Sequence, residues 1–453
     1  MSSMHAVVDR SDYRIKPDSV WSGLWKKTAA LGIVGLVVSA VGLGQDPKRF
    51  AYSYLFAFFA FLTLGLGSLF FVMIQYITKA GWSVSVRRTA EFFMSGLPIF
   101  AVLVIPVLIS MGTLYGGWLG GHEGGHEAQA AQSVSHGAVA KPSDHSHAVP
   151  TTHGPAVSLE ERNARAVEDA KHKQHAALVH GKAGYLNKSF FLIRVAFYAL
   201  VWIFLSMRFF RWSTEQDVTK SIANTLKAQQ FAPIGLMLFA VTLTFAGVDW
   251  LMSLEPSWYS TMFGVYLFAG SNVVTMAVLI LATLGLRKNG PLAHAVTIEH
   301  YHDMGKLLFG WNAFWAYIAF SQFFLIWYSA IPEELVFFHM RWTDNGGTWK
   351  GITLALVVMH FVVPFWLLMS RNIKRRLGLL ATGALILVCM HVVEIYWIVM
   401  PNLGPLHFHW LDVTCFLGVG GLYLTVVFRA MEGHSLIPIG DPRLTRALGF
   451  ENA

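Results

Sequence analysis

Ten stretches of this chain are long, continuous and apolar: 27–43, 51–77, 90–114, 189–210, 232–252, 262–286, 307–331, 350–370, 377–400 and 410–430. A helix needs roughly 20 such residues to cross the hydrocarbon core of a bilayer. Lipid offers the backbone no hydrogen-bond partner, so spanning segments must close their own bonds as helices or as a barrel. Segments this long, without strand-like alternation, predict helices. The expected fold is therefore an all-α polytopic membrane protein with ten transmembrane helices. Composition agrees, since 55% of the 453 residues are apolar and 13% are charged. A soluble domain carries about 25% charged residues, so a soluble enzyme, a disordered scaffold and a fibrous protein are excluded. Cys389 and Cys415 both lie in apolar runs, which leaves no disulfide framework and no paired-cysteine metal site.

Basic residues orient the array. The sets Arg87–Arg88, Arg208–Arg211, Arg287–Lys288 and Arg371–Lys374–Arg375–Arg376 fall in alternate loops, together with Lys26 and Lys27. The intervening short loops hold only Lys48, Arg49, Arg341 and Lys350. Cationic loops stay on the cytoplasmic side, so both termini are expected there. The basic net charge of +8 then needs no nucleic-acid partner. This divides the chain into a cytoplasmic segment 1–26, helices one to three over 27–114, an outer loop 115–188, helices four to ten over 189–430 and a cytoplasmic tail 431–453. Because 26 mostly polar residues come first, no cleavable signal peptide is expected.

The loop 115–188 carries nine of the 19 histidines. It is rich in Gly, Ala and Ser, and by composition it cannot build a core. It includes His122-Glu123-Gly124-Gly125-His126, a literal zinc-protease pattern. That pattern works only on a stable helix, and each glycine in and around it costs about 1 kcal/mol of helix. The expectation is a solvated loop, with a short charged helix near 158–180.

An ionisable side chain at membrane depth costs several kcal/mol unless it is paired or wet, and it marks function by default. Five qualify: Arg194, Asp249, His360, His391 and Glu394. Glu91 and Asp412 lie nearer the ends of their spans, where interfacial placement accounts for them. The sequence Glu299-His300-Tyr301-His302-Asp303 reads as solvated loop charge. His391 and Glu394 stand three apart on one helix face. His360 and His391 lie about 14–17 Å from the outer ends of adjacent antiparallel spans, so they are expected at matching depth. Such a pair could ligate a b-type haem or serve a proton or quinol site. No second matched pair is present, which weighs against haem.

The acids also echo one another. Asp249 is followed seven residues on by Pro256, and Glu394 seven residues on by Pro401. Two four-helix bundles related by a parallel repeat, with two extra helices, would produce this echo. No phosphate-cradling loop or nucleotide fingerprint is present.

Two segments carry a resemblance. One runs from Phe245 through Asp249, Trp250, Glu255, Pro256, Trp258 and Tyr259 to Tyr266. The other begins at Tyr301-His302-Asp303 and runs through Lys306, Gly310, Trp315, Tyr317 and Gln322 to Trp327-Tyr328. Over residues 20–440 the chain resembles the F subunit of bacterial alternative complex III, a quinol:cytochrome c oxidoreductase, within the NrfD-like family of polysulfide-reductase membrane anchors. The resemblance implies a ten-helix subunit of the bacterial inner membrane with no redox centre of its own. It implies as partners a homologous NrfD-like membrane subunit, an iron–sulfur subunit and c-type cytochrome subunits, with electrons passing to a cytochrome or directly to a terminal oxidase. It also implies a proton route, and a quinone (menaquinone or ubiquinone) as a candidate ligand. Asp249, His360, His391, Glu394 and Arg194 are the positions that would serve. The His-rich loop departs from that pattern. Two other readings stay open: a secondary transporter using the same buried groups, and a purely structural anchor.

Overall fold

The computed structural model describes residues 13–119, 176–288 and 290–451. The motif at 122–126 and most of the segment 158–180 lie outside the described residues. Among those described there is no strand. The helices are α1 (Leu24–Gln45), α2 (Pro47–Ile77), α3 (Val84–Ile109), α4 (Lys188–Thr219), α5 (Ile222–Trp250) and α6 (Phe263–Arg287). They continue with α7 (Ile298–Ser329), α8 (Pro332–Trp342), α9 (Lys350–Met369), α10 (Leu377–Val399) and α11 (Trp410–Gly433).

Nine of these are long and apolar enough to cross a membrane, and α7 with the bent α8 makes a tenth span. Their surfaces bear exposed Val34, Phe204, Met237, Phe320 and Trp366. Apolar exposure on this scale belongs in lipid, not in water. The protein is an all-α polytopic membrane protein.

Two rings of four helices form its body. In the first, α2 packs on α3 and α5, and α4 packs on both of those. In the second, α6 packs on α7 and α10, and α9 closes the ring between them. The rings meet where α2 lies against α6 and α10, which buries α2 along nearly its whole length. Helices α1 and α11 form the extra pair, seated on α2.

Small residues bring α1 and α11 together. A methyl group at Gly35 would lie 2.6 Å from the backbone nitrogen of Gly418, and one at Gly421 would lie 2.5 Å from that of Gly32. Between helices in lipid, where hydrophobic burial drives little, such close backbone approach supplies the packing attraction.

Two spans depart from regular helix, and proline explains both. Pro98 and Pro106 divide α3 into short turns after Met94. In α9 the turn over Leu356–Val362 widens to a π-helix. Pro364 has no N–H for the His360 carbonyl four residues back, and its ring would crowd that oxygen. Widened turns of this kind recur at functional sites.

The segment predicted as solvated loop at 299–303 is instead the first turns of α7, with His300 and Tyr301 fully buried and His302 nearly so. Glu91, expected near the end of its span, lies wholly buried between Arg87 and Arg88, at 2.9 Å from each. Arg88 also reaches Asp217, and Arg87 reaches Asp441 in the tail. Burial alone would raise the Asp441 carboxyl, but Arg87 and Arg443 outweigh it and hold it at about 2. Asp412 is buried too, paired with Arg49 and accepting from Ser53 and Tyr396.

Candidate functional site

Each ring holds one buried acid on its fourth helix, met by a base from its third. In the second ring the acid is Glu394 of α10 and the base is His360 of α9. Glu394 Oε2 lies 3.6 Å from His360 Nε2 and 2.9 Å from His391 Nδ1. The other carboxylate oxygen accepts from the Trp315 indole of α7 at 2.5 Å. Trp315 stacks on the His360 ring with centroids 3.8 Å apart. From α6, Gly270 leaves room for the group, since a methyl there would come within 3.0 Å of Glu394 Oε2. All three titratable residues are buried to within 1% exposure.

The two histidines expected at matching depth are thus joined through one carboxylate. The Thr63 hydroxyl of α2 lies 2.9 Å from the Phe59 carbonyl and 2.9 Å from His391 Nε2, so it donates to one of them and the imidazole either accepts from it or donates to it. A ring proton on Nδ1 makes the 2.9 Å contact with Glu394 a hydrogen bond from imidazole to carboxylate. Both ring nitrogens of His360 are buried without a hydrogen-bond partner, and Nε2 lies 3.6 Å from the carboxylate.

The three donor atoms lie within 4.8 Å of one another, close enough to converge on one small cation. The sequence reading assigned these residues no metal. A proton on the cluster is balanced by the single carboxylate, whereas a divalent ion would leave an uncompensated positive charge in hydrocarbon. The Glu394 carboxylate lies against both imidazoles, and Trp315 covers one face of the His360 ring.

In the first ring, Asp249 of α5 is gripped by Arg194 of α4. Asp249 Oδ2 and Oδ1 lie 2.7 and 2.9 Å from Arg194 Nε and Nη2, and the Tyr198 hydroxyl donates at 2.6 Å. The guanidinium is further held by the Tyr185 carbonyl and by the faces of Tyr185 and Phe190 at 3.9 and 4.3 Å. A bidentate pair of this kind is held by two charge-assisted hydrogen bonds, whereas the neighbours of Glu394 are imidazoles. A cavity of about 340 Å³ lies next to the pair, lined by Tyr185, Val248, Ser253 and Trp258.

The sequence reading missed Arg341. It belongs to α8, is 2% exposed, and has no carboxylate partner among the described residues. It donates instead to the carbonyls of Trp397, Ile398 and Phe337 and stacks on Phe337. The carbonyls of Trp397 and Ile398 end α10 one turn beyond Glu394, where a cation complements the helix dipole. An amphipathic helix of 11 residues interrupted by charge carries no spanning signal, so only packing reveals this cap.

Compared with known proteins, the chain matches no family model and no curated protein. What the fold and the site define is a class: a multi-span helical membrane protein with a buried His–Glu–His cluster and a separate buried Arg–Asp pair.

Proposed function

We propose that this chain is a membrane subunit of a respiratory quinol oxidoreductase of the alternative complex III type, and that it conducts protons through His360, His391 and Glu394. The Arg194–Asp249 pair of the first ring is a fixed charge beside the outer end of the route. In this reading both termini are cytoplasmic, the membrane is the bacterial inner membrane, and quinone is oxidised at or near this subunit. In this reading electrons leave through iron–sulfur and cytochrome c partners.

One observation carries the reading: a carboxylate within reach of two buried imidazoles. A carboxylate and imidazoles in contact are the kinds of group that general acid–base transfer needs. A structural lock would be as well served by a neutral pair.

Mild-detergent purification with an absorption spectrum tests the assembly. Haem and iron–sulfur signals co-eluting with this chain, together with quinol oxidation, are expected. A chain that purifies alone or as a homo-oligomer, without redox partners, would instead be a transporter and would overturn the proposal.

A further inference from the structure

A second cavity, of about 450 Å³, opens between α2 and α7 at the end of the protein that bears the basic loops. Its volume lies within the range of small-molecule sites, about 300–1,000 Å³. Its walls are the rings of Phe70, Phe71, Trp82 and Trp311, and its mouth carries Asp303 and Lys306. Lys306 Nζ lies 2.5 Å from Asp303 Oδ1, and the lysine side chain is half exposed while the aspartate is mostly covered. The cavity is also lined by Gln75, a residue only 6% exposed. Its side-chain amide offers a donor and an acceptor to an occupant of the cavity.

We infer that this cavity binds one membrane phospholipid with a zwitterionic aminoethyl-phosphate headgroup. The phosphate would sit at Lys306, the ammonium at Asp303, and an ester oxygen or phosphate oxygen would accept from Gln75. The acyl chains would run along the aromatic walls toward the bilayer centre. Charge complementarity selects this occupant, because one cation and one anion at 2.5 Å match a zwitterion. A purely anionic head would meet the Asp303 carboxylate. The inference does not depend on the proton reading, since the cavity shares no residue with the His–Glu–His cluster.

Native mass spectrometry of the purified protein, in whatever assembly it elutes, decides it. The detergent-stripped protein is titrated with phosphatidylethanolamine and, separately, with phosphatidylglycerol. One phosphatidylethanolamine should be retained at least about tenfold more tightly than phosphatidylglycerol, which corresponds to about 1.4 kcal/mol. The double substitution Asp303→Asn and Lys306→Gln should abolish that preference. Leu307→Trp, which fills the cavity without touching either charge, should expel the lipid, and an unchanged melting temperature would show that the variants fold. Equal retention of the two lipids overturns the proposal, as does retention that both variants leave unchanged. So does a stoichiometric quinone displaced by neither lipid.

Discussion

Replacing Glu394 with Gln separates proton transfer from structure more cleanly than any other single change. The carboxylate accepts from Trp315 at 2.5 Å and faces His391 at 2.9 Å and His360 at 3.6 Å. Glutamine keeps the size and one carbonyl oxygen, so the bond from Trp315 survives. What is lost is the charge on the bond to His391. Hydrogen bonds to charged groups contribute about 1.5–3 kcal/mol and neutral ones about 1, so the fold should weaken by only about 1–2 kcal/mol. The effect on turnover should be far larger, because an amide cannot take up and release a proton. Positioned acid–base groups contribute about 10²–10⁴-fold, so quinol-driven proton movement should fall at least about 100-fold, or about 2.7 kcal/mol of barrier. The assay is proton uptake and release by the reconstituted assembly during quinol oxidation, with melting temperature measured alongside. Asp412→Asn, which disrupts the buried pair with Arg49 away from the cluster, is the control for destabilisation alone. If Glu394→Gln melts slightly lower yet moves protons within about twofold of the parent, the cluster is a structural lock and the reasoning fails.

Three further outcomes follow from the geometry. Arg194→Gln or Asp249→Asn alone should each destabilise the first ring by about 3–5 kcal/mol, since each strands a buried charge, and the double variant should recover part of the loss; denaturant unfolding of the three variants gives the coupling. Gly421→Ala places a methyl 2.5 Å from the Gly32 nitrogen, so it should cost about 1–3 kcal/mol and expose α1 to protease before the rest of the protein unfolds. Asp441, held at about 2 against an ordinary 3.8, stabilises the docked tail above about pH 4 by about 2 kcal/mol. That contribution is lost as pH falls from about 4 toward 2, which protease susceptibility of residues 434–451 across that window should report; a flat profile would refute the assignment.

Some of the site could be read along the chain and some could not. His391 and Glu394 share a helix, so their spacing of three sufficed to place them together. His360 came from depth alone, because two antiparallel neighbours bring residues equally far from one surface to the same level. The echo of Asp249 and Glu394, each seven residues before a proline, anticipated the two rings. Their partners in those rings, Arg194 and His360, were legible only as isolated charges. Thr63 and Gly270 gave no signal, since a threonine and a glycine in apolar helices look like ordinary packing, and Trp315 was legible only as part of the resemblance. Glu91 and Asp412 misled for the opposite reason. Position near a span's end suggests water, but the arginines that bury them come from elsewhere in the fold or from the preceding turn.

The sequence by itself determined that the chain crosses the membrane as helices, and where, because length and polarity relative to lipid are local properties that no packing can reverse. It also determined which ionisable groups would be costly at depth. Tertiary structure decided what those groups met: Asp249 a guanidinium and Glu394 two imidazoles. That difference lies in whether a neighbouring helix presents a guanidinium, which stays charged, or imidazoles, which can give a proton up. Nothing within α5 or α10 specifies the neighbour; the ring closure does.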